Sequence, residues 1–114
     1  MARPTLDFDI AAIHSAIIDV AKEQGASLAL LFGSFGRGDY SRRSDIDVIY
    51  VEDTEERFLD RIGRYLFALR DRSVLNRFDV DVLVYTPDEF KRMQEDENRF
   101  ILRALREGKI LYER

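Results

Sequence analysis

Apolar positions recur along this chain at two different spacings, and their alternation predicts helices and strands in turn. Ile10, Ile13, Ile17 and Val20 return every three or four residues, the stripe of an amphipathic helix that begins after Asp7 or Asp9 and is stopped by Gly25. Leu28, Ala29, Leu30, Leu31 and Phe32 form a short unbroken apolar run, the mark of a buried strand. Residues 44–51 (SDIDVIYV) are rich in β-branched and aromatic side chains and read as a strand of period two. The helical spacing returns over residues 55–70, which turns Phe58, Leu59, Ile62, Leu66 and Leu69 inward. A further strand-like run covers residues 77–85 (RFDVDVLVY). Thr86-Pro87-Asp88-Glu89 then reads as a helix start, with Thr86 as N-cap, Pro87 at the first helical position and Glu89 placed for a capping box. That helix extends to about residue 106, Gly108 stops it, and Ile110, Leu111 and Tyr112 either add a short edge strand or pack as a tail. No repeat, low-complexity tract or linker interrupts the pattern.

Composition bounds what such a chain can be. Its 114 residues, 46% hydrophobic and 35% charged, make one soluble domain over residues 1–114 with a real core. Little length remains for a second substrate-recognition domain, so a larger partner is expected to complete the site. Eighteen basic residues stand against 22 acidic ones, for a net charge of −4 and a pI near 5.0. That balance opposes nonspecific attraction to nucleic acid and disfavours template-directed polymerisation; no direct nucleic-acid binding is expected. The absence of cysteine excludes disulfides and thiolate metal sites, and a single histidine excludes the usual zinc clusters. No apolar run approaches the roughly 20 residues that span a bilayer, and no signal-peptide hydrophobic region opens the chain. A cytoplasmic protein without a membrane partner is the expectation.

The candidate chemistry lies in residues 33–47, GSFGRGDYSRRSDID. Gly33-Ser34 ends the first strand with small residues that leave backbone N–H groups exposed. A short helix starting at about Ser34 would aim its free N–H groups at an anion, with the Ser34 hydroxyl as an added donor. Ten residues later come Asp45 and Asp47, which share one face of a strand and can jointly hold hard divalent cations such as Mg2+. Without a cation, two such carboxylates repel each other and each must be desolvated. A third acid comes from Asp79 or Asp81. If their strand lies beside the Asp45/Asp47 strand, one of them completes a three-acid cluster, and Asp81 is favoured because it sits deeper in the apolar run. An isolated Gly-Ser pair is only a common turn, so the coupling to Asp45 and Asp47 at this spacing carries the signal.

Other polar groups are weaker candidates. Arg37 suits phosphate oxygens, but an arginine in a polar loop is equally a surface residue. Arg42 and Arg43 extend the same loop and have no catalytic part in this reading. His14 borders the first helix's apolar stripe and reads as a packed or half-exposed histidine. Phe58, Tyr65, Phe67, Phe90 and Phe100 are spaced for helical packing, which favours core or partner interface over base stacking.

Gly33-Ser34, ten intervening residues, Asp45-x-Asp47 and a third strand acid together resemble the nucleotidyltransferase superfamily that includes DNA polymerase β, and in particular its minimal single-domain branch. Arg37-Gly38, Ser44, Val80-Asp81-Val82 leading into residues 85–90, and the ending over residues 107–114 resemble that branch too. Gly36 stands where relatives often have alanine, a departure expected to matter little because both residues are small. The resemblance implies an α/β (α+β) fold, a mixed sheet of about four strands flanked by helices. It implies that Gly33 and Ser34, with Arg37 and Ser44, grip a nucleoside triphosphate. It implies further that Asp45 and Asp47 bind two magnesium ions and that Asp81 joins the metal site and assists the nucleophile. ATP would be the donor. Many minimal members act as antitoxins beside a small helical HEPN-type toxin, and some transfer AMP to its tyrosine. Two other roles remain open: an antitoxin that only occludes its partner, and a transferase acting on small molecules such as aminoglycosides.

Overall fold

The computed structural model describes residues 9–114. The first helix, α1 (Ile10–Gln24), begins where the Asp9 carboxylate accepts the N–H groups of Ala11 and Ala12 at 2.9 and 3.3 Å. Of the two expected starts, Asp9 is therefore the cap, and Asp7 lies outside the described residues. Gly25 closes α1 in the left-handed conformation, φ 86°. Strand β1 (Leu28–Phe32), the one-and-a-half-turn helix α2 (Gly33–Arg37) and strand β2 (Ile46–Val51) follow. Helix α3 (Phe58–Arg70) leads through a 3-10 turn at Ser73–Leu75 to strand β3 (Val80–Tyr85). Helices α4 (Pro87–Glu95) and α5 (Arg99–Glu107) precede the edge strand β4 (Lys109–Glu113).

The strands lie in the order β3-β2-β1-β4, with β1 antiparallel to both β2 and β4 and β2 parallel to β3. This is the expected mixed four-stranded sheet flanked by helices. Ile110 to Tyr112 take the edge-strand alternative, held to β1 with a register shift at Ala29/Leu30.

Strand alternation assigns the two faces of the sheet to two layers. Ala29, Leu31, Val48, Tyr50, Val82 and Val84 face α1 and α3, against Ile13, Ile17, Val20 and Tyr65. Leu30, Ile49, Val51 and Tyr85 face α4 and α5, against Phe90, Ile101 and Ala104. Every odd position of β2 and β3, Asp47 and Asp81 included, belongs to the second face.

Two expectations about the helices are corrected. Helix α3 starts at Phe58 rather than at residue 55, and its inward face is rotated: Leu59 is 77% exposed, while Arg61, Tyr65, Ala68 and Leu69 are buried. Polar anchoring sets that rotation. Arg61 donates to Glu56 O, Val84 O and Glu89 Oε1 at 2.7, 3.2 and 2.7 Å, and Tyr65 donates its hydroxyl to the buried Glu52, which also receives Arg64 at 2.9 Å.

The single helix expected from residue 86 to about 106 is two helices. The capping box at Thr86 and Glu89 forms as expected, but the helix breaks at Asp96–Asn98, where Glu97 adopts φ 55° and Asn98 caps α5 by accepting the Ile101 N–H at 3.1 Å. The break turns α5 back across the sheet, where Ile101 and Ala104 cover Leu30 and Ile49.

Candidate active site

Strand register brings the predicted acids together. Phe32 pairs with Asp47 across β1 and β2, and Asp47 pairs with Asp81 across β2 and β3, so the three side chains form one row on the α4/α5 face. The next rows along the strands, Leu30–Ile49–Leu83 and Leu28–Val51–Tyr85, are apolar and lie under α4 and α5. In the Phe32–Asp47–Asp81 row Phe32 and Asp47 are only half-buried and Asp81 is exposed. Asp45 lies one residue ahead of β2, with the face parity of Asp47, and is exposed. The structure thus sets Asp81 across from Asp47. Asp79 lies outside β3 and contributes its carbonyl to the Ile46 N–H at 2.8 Å.

Gly33 adopts φ +66°, and a Cβ there would fall 2.3 Å from Asp47 Oδ2. The β1–α2 turn can therefore approach the carboxylate only through glycine. No side chain caps α2, so its first N–H groups face the same corner without a capping acceptor. Ser34 follows at the second position of the helix and is half-buried. Gly38, φ 90°, ends α2 with its N–H on Ser34 O.

A Cβ at Gly36 would meet Leu31 O at 2.4 Å and Gly108 Cα at 3.1 Å. The departure from alanine at Gly36 therefore does matter in this chain: α2 packs backbone to backbone against the end of β1 and the exit of α5.

The electrostatics of the row follow from its composition. Burial, the Asp81 charge and hydrogen bond, and the Asp45 charge together push the Asp47 carboxyl from 3.8 up to about 6; Arg37 alone pulls the other way. Arg37 lies on the exposed side of α2 between Asp39, at 3.2 Å, and Glu107, at 3.8 Å. Ser44 accepts the Ser41 N–H at 2.8 Å, which fixes the loop that delivers Asp45. Arg42 and Arg43 lie on that exposed loop, and His14 is half-buried on α1, its imidazole pushed down by burial and by Lys109.

Among the described residues no three acidic, histidine or cysteine side chains are gathered into a group that could hold a metal ion. The donors present nonetheless fit magnesium. They are carboxylate oxygens only, Asp47 is raised first by burial and then by its acidic neighbours, which a cation would offset, and an open pair leaves coordination positions for phosphate oxygens.

Two residues near this row escaped the sequence reading as site residues. Phe100, at the start of α5, stands edge-to-face on Phe32 with ring centroids 5.4 Å apart. Arg103, one turn on, is held by Glu107 at 3.1 Å. Only the break at residues 96–98 brings them here, and the Asn98-x-x-Ile101 cap was the one signal in the sequence that could have found it.

Among the described residues no helix is long and apolar enough to cross a membrane. No curated protein matches the chain. Among solved structures, a toxin–antitoxin with AMP-PNP is similar at 25% identity and a TM-score of 0.61, covering 89% of this chain and 73% of its own. A protein of Sulfolobus solfataricus assigned as a nucleotidyltransferase is similar at 27% identity and a TM-score of 0.52, covering 73% and 71%. The toxin–antitoxin MntA–HpeT, in a double aspartate-to-glutamate variant, shares the fold at 23% identity and a TM-score of 0.60, covering 89% and 73%. Residues 15–114 match the family described as polymerase beta, nucleotidyltransferase, and the chain belongs to that family.

Proposed function

We propose that this chain transfers a nucleoside monophosphate, AMP from ATP, to a hydroxyl of a partner protein and acts as an antitoxin. One domain carries the nucleotide site, and the acceptor arrives on another chain. The observation that carries the reading is the Asp47–Asp81 pair beside Gly33, with the Asp47 carboxyl raised to about 6 by burial and by its acidic neighbours. Such a site is built for a positively charged and phosphate-bearing ligand.

Asp45, Asp47 and Asp81 would hold magnesium, which on binding neutralises phosphate charge and lowers the pKa of the acceptor hydroxyl. The chain's own groups do the rest. The Gly33 and Ser34 N–H groups and the Ser34 hydroxyl receive the polyphosphate oxygens, and Arg37 exchanges its carboxylate partners for phosphate. Ser44 keeps the loop short and fixed, so that Asp45 stays level with Asp47. The acceptor oxygen attacks the α-phosphorus in line, the bond to pyrophosphate breaks, and the hydroxyl proton passes to an Asp81 carboxylate oxygen. Asp81 is exposed, which suits a group that must meet the incoming acceptor.

The toxin–antitoxin relative with AMP-PNP supports ATP as donor and a toxin as partner. A small helical HEPN-type toxin, modified on a tyrosine, is the partner we put forward. The test is intact mass of the partner after incubation with this protein, Mg2+ and α-labelled ATP, compared with an Asp45→Asn/Asp47→Asn variant. AMP adducts on the partner that vanish with the variant are expected. No adduct, with a complex equally stable for the variant, would replace transfer by occlusion; adducts on small alcohols alone would point to a small-molecule transferase.

A further inference from the structure

We propose that the groove between α5 and the β1–α2 turn is the nucleobase subsite, with Phe100 as its stacking platform and Arg103 on its rim. The inference rests on the nucleotide reading above and adds the residues that would hold the base.

The groove has a volume of about 230 Å3 and is lined by Phe32, Gly33, Arg37, Phe100, Arg103 and Glu107. That is below the roughly 300–1,000 Å3 of pockets that take a whole drug-sized ligand, so it suits one part of a nucleotide. Its connection to the phosphate corner is direct, because Gly33 lines the groove and also lies against Asp47. A nucleotide whose phosphates sit at Gly33 therefore has its base within reach of α5.

Phe100 is 43% exposed although it is a large apolar ring. Its edge-to-face contact with Phe32 holds it at the groove without covering it. Glu107 binds both Arg103, at 3.1 Å, and Arg37, at 3.8 Å, so two guanidiniums are fixed about one carboxylate at the mouth. Asp39 also holds Arg37, at 3.2 Å, so the two guanidiniums are balanced by two carboxylates and anchored at the groove. An aromatic ring beside arginines is the combination that recognises a π-system attached to an anion. A groove of about 440 Å3 is a poorer choice: it is lined by Phe58 and Tyr85, at the far end of β3 from Asp81, and by Asp88, Glu89 and Asp96.

The test compares binding of ATP and of inorganic tripolyphosphate by calorimetry in Mg2+, for wild type and for Phe100→Ala. Base–aromatic stacking predicts a loss of roughly 5- to 150-fold in ATP affinity for Phe100→Ala, with tripolyphosphate affinity unchanged. Phe100→Leu keeps apolar packing on Phe32 but offers no ring, and is expected to lose ATP affinity in the same way; Phe100→Trp should retain it. Wild-type ATP affinity in Phe100→Ala, or equal loss of both probes, would overturn the subsite while leaving the phosphate site standing. Failure of the wild-type protein to bind either probe would overturn both readings.

Discussion

Replacing Asp47 by asparagine should stabilise the metal-free fold while abolishing transfer. The Asp47 carboxyl is raised from 3.8 to about 6, first by burial and then by Asp81 and Asp45. At full strength that shift corresponds to about 3 kcal/mol, and the screening of a half-buried group reduces it to about 1–1.5 kcal/mol. The sign follows from proton linkage. Between about pH 4 and 6 the folded chain binds the Asp47 proton more tightly than the unfolded chain, so stability falls as pH rises through this window, and the penalty is complete above about pH 6. Asparagine carries no charge, matches the shape and can donate its amide to Asp81. Thermal unfolding in a chelator at pH 7.5 should show Asp47→Asn melting about 5 °C above wild type, with the gap closing below about pH 4. Saturating Mg2+ and ATP should reverse the order, because only wild type gains ligand stabilisation, about 2.7 kcal/mol at a hundredfold excess over Kd. A variant that melts at or below wild type at pH 7.5, or a gap that ignores pH, would refute the reasoning.

Gly36→Ala should destabilise by about 1–2 kcal/mol by chemical denaturation: helix propensity favours alanine by about 1 kcal/mol, but backbone atoms at 2.4 and 3.1 Å cannot yield as a side chain would, and overpacking costs more. Asn98→Ala removes the cap of α5 and should cost about 1 kcal/mol in the same assay, and it should weaken ATP binding through the displacement of Phe100. Glu89→Gln should lower the melting temperature at pH 7. Burial pushes the Glu89 carboxyl up, but the Arg61 and Thr86 hydrogen bonds and the Arg61 charge outweigh it and hold the group below 4.5, so its contribution is present above that pH and is lost as pH falls through the lowered value. The gap between Glu89→Gln and wild type should accordingly close under strongly acid conditions.

The parts of this molecule that were legible in the sequence are those decided by neighbours along the chain. The caps at Gly25 and Thr86 need only a few residues each and formed as read, and Asp9 is one of the two starts the sequence offered for α1. Gly33 follows β1 directly and Asp45 and Asp47 lie at the start of β2, so the pairing of these successive strands brings Gly33 to Asp47; Asp81 needed one strand pairing more. What was not legible depends on contacts between distant segments. Leu59 follows the helical stripe, yet it faces outward because Arg61 and Tyr65 find buried acceptors that no periodicity can weigh against an apolar side chain. Residues 96–98 continue a polar helical pattern, and the break there gains its value from the sheet surface that α5 covers. Gly36 looked interchangeable with alanine because Gly108, which its backbone meets, is far away in sequence.

The same alternation that builds the core also places the candidate chemistry, which constrains how the site can vary. Ile49 and Val51 are buried because α4 and α5 cover their face; Asp47 occupies the next position on that face, where the cover ends. A carboxylate there is half desolvated by its own strand, so it is reactive toward cations, and it remains open enough for a ligand to arrive. Moving α5 one row further would bury Asp47 outright and leave no entry, while retreating one row would expose Leu30 and Ile49. The backbone contact of Gly36 with Gly108 ties the exit of α5 to α2, and Glu107 ties it to Arg37. The position of α5 therefore sets three things at once: the exposure of Asp47, the groove beside Gly33 and the packing of the sheet. On this argument, changes at residues 96–98 and 107–108 should alter nucleotide binding and stability together, whereas changes at Asp45 or Asp81 should separate them.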